Sequence, residues 1–181
     1  VYSQEELKYY KQLLDKSRIE QYKYEIIENR EKKVVIFFNP DSRMDKEEIN
    51  HITEIAKLFK HRGYEILARR HPVQKGPITE SLCQSLEIKF CDESIETYKL
   101  LSIERPEFTV SFLSTSICQS LNVGLIPICV SETEENRYDI QESLYPFKRR
   151  SFFWNEESRE IKHLLENISD YPKYLEKLKS R

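Results

Sequence analysis

"KVVIFFNP", residues 33–40, is a short unbroken apolar run that opens on one lysine and closes on Asn39-Pro40. A strand with one wet face would alternate apolar and polar residues, so a continuous run of this length ending in a turn signal reads as a strand buried on both faces. The period then changes. Asp45 stands three residues before Glu48 as a capping-box start, Ile49, Ile52, Ala56 and Phe59 share one helical face, and Gly63 stops the helix. The chain returns to an apolar stretch at 64–70. Strand, crossover helix and second strand together make the unit from which parallel sheets are built.

The alternation continues more loosely. A turn at Gly76-Pro77 and about one helical turn to Ser85 lead to "LEIKF" at 86–90 as a third strand, and a helix runs from Ser94 to about Ile103, closed by Arg105-Pro106. "FTVSFL" at 108–113 reads as strand four, Ser114–Val123 as a short helix ended by Gly124, and "LIPICV" at 125–130 as strand five. The predicted fold class is α/β, a Rossmann-like doubly wound parallel sheet of about five strands with helical N- and C-terminal extensions. An amphipathic helix is predicted within 4–29 from Leu7, Tyr10, Leu13 and Leu14, another at 156–168 from Ile161, Leu164, Leu165 and Ile168, and a last one from Pro172. The domain reading is 1–30 as an N-terminal helix, 31–150 as a Rossmann-like nucleotide-binding domain, and 151–181 as C-terminal helices packing on it.

Composition narrows the function classes. A chain of 181 residues with 39% hydrophobic content buries one core, and a formal net charge of −2 argues against a general nucleic-acid or anionic-membrane binder, so any anion site is local. Cys83, Cys91, Cys118 and Cys129 form no CxxC pair and have no metal-ligand spacing with histidines, which disfavours zinc and a disulfide framework and favours a reducing, cytoplasmic setting. No run approaches the ~20 apolar residues of a membrane span. No signal peptide opens the sequence, and the start at Val1 rather than Met reads as a trimmed end.

In doubly wound sheets ligands sit outside the carboxyl ends of the strands, and polar residues collect there. His71-Pro72 ends strand two, Asp92-Glu93-Ser94 follows strand three, and Leu113–Ser116 joins strand four to a helix. Hydroxyls and unpaired N–H groups at a helix start suit a phosphate, an imidazole of near-neutral pKa can give it a hydrogen bond or proton, and a carboxylate can accept from ribose hydroxyls. Each residue also has an ordinary reading: hydroxyls as an N-cap, proline as loop punctuation, Glu93 as a solvated carboxylate. His51, His61 and His163 read as solvated helix residues, Cys118 and Cys129 as small core residues.

Taken in order, "RRHP" at 69–72, the acidic residue after the next strand and "SFLSTS" at 111–116 resemble the nucleotide-binding half of bacterial GT-B sialyltransferases. The lipooligosaccharide sialyltransferases and polysialyltransferases are the nearest groups, and the resemblance covers roughly Lys33–Val130. It implies one half of a GT-B fold, with CMP-sialic acid as donor substrate and no cofactor or metal. His71 would contact the CMP phosphate and assist its departure as acid. Ser114 and Thr115, with Ser116 as a register alternative, would bind the phosphate oxygens. Pro72 belongs to the same motif. Arg69 stands where members often carry lysine near the cytosine, and Glu93, or Glu96 in a shifted register, would bind the ribose. A planar guanidinium and a point charge meet a base differently, so Arg69 is a departure from the pattern.

The implied reaction is inverting transfer of sialic acid to a sugar hydroxyl. It needs a stabilised leaving phosphate and a carboxylate base, which the family carries in an Asp/Glu-Asp/Glu-Gly motif of an N-terminal acceptor domain. This sequence has no such motif, and "CDES" at 91–94 lacks the glycine. The expectation is a donor-binding half that is catalytically incomplete, its glycan acceptor held by a missing N-terminal domain. Two alternatives stand beside it: a GT-B transferase using another donor, such as a glycerophosphate or glucosyl transferase, and a non-enzymatic nucleotide-binding or interaction module. "YPFKRRSFFWN" at 145–155 combines cations and aromatics, which reads either as peripheral contact with an anionic inner membrane or as aromatics docking the terminal helices on the sheet. A homodimer is also open.

Overall fold

The computed structural model of the chain describes residues 23–72, 76–112, 114–130 and 150–181, together with scattered positions between 4 and 19. Strands β1 (Glu31–Phe37), β2 (Glu65–Arg69), β3 (Lys89–Phe90), β4 (Pro106–Ser111), β5 (Ile126–Cys129) and β6 (Phe152–Phe153) form one sheet in the order β3-β2-β1-β4-β5-β6. Every pairing is parallel. This is the doubly wound order in which the chain starts at the centre, builds to one edge, and crosses back to build the other.

The apolar run that opened the analysis occupies that centre. Val34, Val35 and Ile36 are fully buried, as expected of a strand covered on both faces. On one face lie α1 (Lys46–His61), α2 (Pro77–Ser85), α5 (Trp154–Glu166) and α6 (Tyr171–Lys179), whose Ile52, Phe59, Cys83, Ile161, Leu164 and Leu175 share a core with Ile36, Ala68 and Phe108. Across the other face run α3 (Thr97–Glu104) and α4 (Ser116–Asn122), with Leu100 against Val35 and Leu67, and Thr109 Oγ1 donating to Ser120 Oγ at 2.7 Å. The capping box of α1 forms as expected, Asp45 accepting from the Glu48 N–H at 2.8 Å and Glu48 accepting from the Asp45 N–H at 3.2 Å. Gly63 follows α1 at φ +80°, a conformation that costs glycine little.

Several boundaries differ from the expected ones, each for a local reason. The third strand shrinks to two residues, because Leu86 caps α2 and Glu87 takes φ +51° before pairing begins. β4 starts at Pro106, paired with Glu31, because a proline at a strand's first position leaves no ladder donor missing. α3 starts at Thr97 with Glu96 as cap, since Ser94 is held in a turn by Asp92. α4 starts at Ser116 rather than Ser114. A sixth strand, not expected, brings Phe152 and Phe153 beside Ile128 and Cys129.

The leading helix was expected to reach residue 29, but residues 25–30 are not helical. The Ile27 side chain instead joins Tyr98, Leu101, Val123 and Leu125, and its N–H donates to the Val123 carbonyl at 2.9 Å. Leu7, Tyr10, Leu13 and Leu14 lie outside the described residues. The C-terminal helices form, α5 from Trp154 and α6 from Tyr171, with Ile168 exposed in the 3-10 turn between them. Phe152, Phe153 and Trp154 are buried, so these aromatics complete the core, while Lys148 and Arg149 lie outside the described residues. All four cysteines are buried and none forms a disulfide. Among the described residues, no helix is long and apolar enough to cross a membrane.

Candidate functional site

The strand order reverses between β1 and β4, so a crevice opens at their carboxyl ends, where doubly wound folds bind ligands. Register sets the level of that edge. Phe37 pairs with Arg69 on one side and Ser111 on the other, and Ser111 pairs with Cys129. At about 4.8 Å per strand, Arg69 and Ser111 stand about 10 Å apart across Phe37. His71 lies two residues beyond Arg69 and Ser114 three beyond Ser111, so the crevice has an imidazole on one bank and hydroxyls on the other.

On the β2 bank, His71 is half-buried and Pro72 exposed. Burial first, and then the nearby Arg43 guanidinium, hold the His71 imidazole below its ordinary value of 6.5. Arg43 ends the 3-10 turn Asp41–Arg43 that follows β1, so it reaches the crevice from the central strand. Arg69 donates to the Asp92 carbonyl at 2.7 Å, fixing the loop after β3. The Asp92 carboxylate accepts from the Ser94 hydroxyl at 2.6 Å and the Ser94 N–H at 2.9 Å, which lower its pKa.

Glu93 forms an ion pair with Arg70, and Arg70 also reaches Glu80 at 2.7 Å and lies 4.5 Å over the Phe90 ring. Glu96, the shifted-register alternative for the ribose, accepts from the N–H groups of Tyr98 at 3.0 Å and Lys99 at 3.3 Å and from the Tyr24 hydroxyl at 2.9 Å. Of the two, Glu96 is built into the start of α3. Glu93 stays on the loop at the carboxyl edge.

On the β4 bank, the Ser114 and Ser116 hydroxyls hydrogen-bond each other, and the Ser116 N–H donates to Ser114 Oγ at 3.3 Å. Thr115 is the N-cap of α4, with no side-chain cap bond. The other helices that start at this edge are already filled by protein carboxylates: Asp45 at α1, Asp41 at α2 and Glu96 at α3. Beneath α4, the Ser111 hydroxyl is buried without a hydrogen-bond partner. The β1–α1 connection, 38–45, holds no glycine, so the tight glycine turn that seats a dinucleotide pyrophosphate is not there.

The carboxyl edge at the strand reversal thus carries His71, with Arg43 near it, beyond β2, and the 114–116 hydroxyls beyond β4 above the buried Ser111, with Arg69, Asp92 and Glu93 on the β3 side. That arrangement suits one phosphate group with a polar appendage. Arg43, Asp41 and Ser111 were not among the expected residues. The signal available for the first two was "PDSR" at 40–43, charges placed directly after the central strand. Among the histidines expected to be solvated, His61 and His163 are exposed, whereas His51 is half-buried with Nδ1 3.4 Å from the Val130 carbonyl oxygen. A mainly apolar groove between α1 and α2 is lined by Ile49, Pro77, Ile78 and Leu82 with Ser81 and Ser85, and has no charged group among its lining residues to meet a phosphate. No protein-family model matches the chain, and no curated protein matches it.

Proposed function

We propose that this chain binds the CMP portion of CMP-sialic acid and is the donor-binding half of a sialyltransferase-like GT-B glycosyltransferase. The observation that carries the reading is the grouping of His71 and Arg43 opposite the hydroxyls of Ser114, Thr115 and Ser116 at the strand-order reversal. Such a site compensates a phosphate from two sides, with a guanidinium and a protonatable imidazole on one and neutral donors on the other.

The lowered pKa of His71 means that a role as acid depends on the bound donor. In the free protein the imidazole is neutral at pH 7. A phosphate beside it favours the charged form against Arg43 and burial, raising the pKa so that a proton is recruited when donor binds. In the transfer itself the bond from the anomeric carbon to the phosphate oxygen breaks, and the new bond forms to the acceptor oxygen. Negative charge grows on the leaving phosphate, where His71 and the hydroxyls stabilise it. A base for the acceptor hydroxyl would come from an acceptor domain, and Glu93, on the loop after β3, is the candidate for the ribose.

Calorimetric titration of the chain with CMP, UMP, CDP-glycerol and UDP-glucose tests the proposal. CMP is expected to bind best, with affinity reduced by about tenfold or more in His71→Ala and in the double variant Ser114→Ala/Thr115→Ala, as loss of a charge-assisted contact entails. Preference for a UDP or CDP-glycerol donor would replace the sialyltransferase reading with another GT-B donor. Absence of nucleotide binding would remove the reading.

A further inference from the structure

The loop after β1 and the start of α2 are joined by one buried side chain. The Asp41 carboxylate accepts from the Ile78 N–H at 2.6 Å and from the Thr79 N–H at 3.2 Å, and the Thr79 hydroxyl donates to it at 2.6 Å. These N–H groups are among the orphan donors of the first turn of α2, which its N-cap, Gly76, has no side chain to satisfy. The cap therefore comes from a residue 37 positions away in sequence. A Cβ on Gly76 would stand 2.1 Å from Asp41 Oδ2, so glycine is there to let the carboxylate in.

This clamp ties the turn that bears Arg43 to the start of α2. Arg43 is two residues after Asp41, and His71 begins the connection that ends at Gly76. Tying the start of α2 to Asp41 fixes the turn that bears Arg43, whose guanidinium lies near His71. The Asp41 charge does not oppose a ligand phosphate strongly, because three hydrogen bonds and the positive end of α2 already compensate it.

We propose that Asp41 is a positioning residue of the anion site, holding the turn that bears Arg43 against the start of α2 so that the guanidinium stays beside His71. Its purpose rests on the phosphate-binding reading; its geometry does not. Without the clamp, α2 loses its cap and the turn that sets Arg43 beside His71 is released.

The test follows the ring signals of His71 by NMR across pH in the full chain, assigned with His71→Gln, for wild type, Asp41→Ala, Asp41→Asn and Thr79→Val. In wild type His71 is expected to titrate below 6.5. In Asp41→Ala the curve is expected to move up toward that value, with Asp41→Asn intermediate because its one carbonyl oxygen still holds part of the cap. CMP affinity, read by calorimetry, is expected to fall about tenfold in Asp41→Ala. If Asp41→Ala does not fold, Thr79→Val, which removes one donor and leaves the helix apolar there, decides by the same curve. A His71 curve that superposes on wild type overturns the positioning role, whatever CMP does. If the curve moves while wild type binds neither CMP nor inorganic phosphate, the positioning role stands and the nucleotide reading falls.

Discussion

An imidazole that folds neutral but is readily protonated when unfolded makes stability depend on pH. His71 has a folded pKa below 6.5, so between that lowered value and 6.5 the unfolded chain binds more protons than the folded one. The stability this group contributes is complete above 6.5 and is lost as pH falls through the folded value. The urea midpoint is therefore expected to drop between about pH 7 and about pH 5, and His71→Gln to flatten part of that slope; an unchanged slope would count against a depressed His71. Ser111 makes the second case. Burying a hydroxyl without a partner costs about 1–3 kcal/mol, so Ser111→Ala is expected to raise the stability of the free chain by about 1 kcal/mol. Measured again under saturating CMP, the gain should shrink, because a bound phosphate would give the hydroxyl a use. Destabilisation by the same amount in the free chain would show that Ser111 is bonded after all.

Elements differ in how far their own residues specify them. β1 and α1 were legible because each carries a complete local signal, a run apolar on both faces in one and Asp45, Glu48 and Gly63 at the ends of the other. β3 was read three residues too long at its start, because nothing in "LEIKF" announces that Glu87 turns at positive φ. β6 was invisible as a strand. Two phenylalanines have no period, and their pairing with Ile128 and Cys129 depends on a sheet edge assembled elsewhere. The candidate site divides the same way. His71 and the 114–116 hydroxyls were legible from their place at strand ends. Glu96, only the shifted-register alternative to Glu93 for the ribose, caps α3, and Asp41 gave no hint of its role because its partners Ile78 and Thr79 belong to another connection. Local rules read caps made by neighbours in sequence; they miss a cap supplied across the fold.

The C-terminal residues bear on whether the five central strands could stand alone. Phe152, Phe153, Trp154, Ile161, Leu164, Tyr171, Leu175 and Leu178 are all buried in the same core as β1, β4 and β5. At about 1.5–3 kcal/mol for each fully buried large apolar side chain, they supply more than about 10 kcal/mol. The net stability of a domain is about 5–15 kcal/mol, so the segment is not dispensable on these magnitudes. Polar contacts point the same way: Tyr171 Oη accepts from the Ile126 N–H at 3.0 Å and donates to the Glu107 carbonyl, Arg30 lies 4.0 Å over its ring, and Trp154 Nε1 donates to Glu54 at 3.1 Å. Removing residues 151–181 uncovers Phe108 and Ile126, strips β5 of its outer neighbour and leaves Glu54 on α1 without the indole. Loss of a cooperative thermal transition and of dispersed amide signals is the expected result, with CMP binding lost as well because α1 and β4 frame the crevice. A chain of residues 1–150 that melted cooperatively and still bound CMP would mean instead that the five central strands hold the crevice unaided, and that β6, α5 and α6 are additions to it.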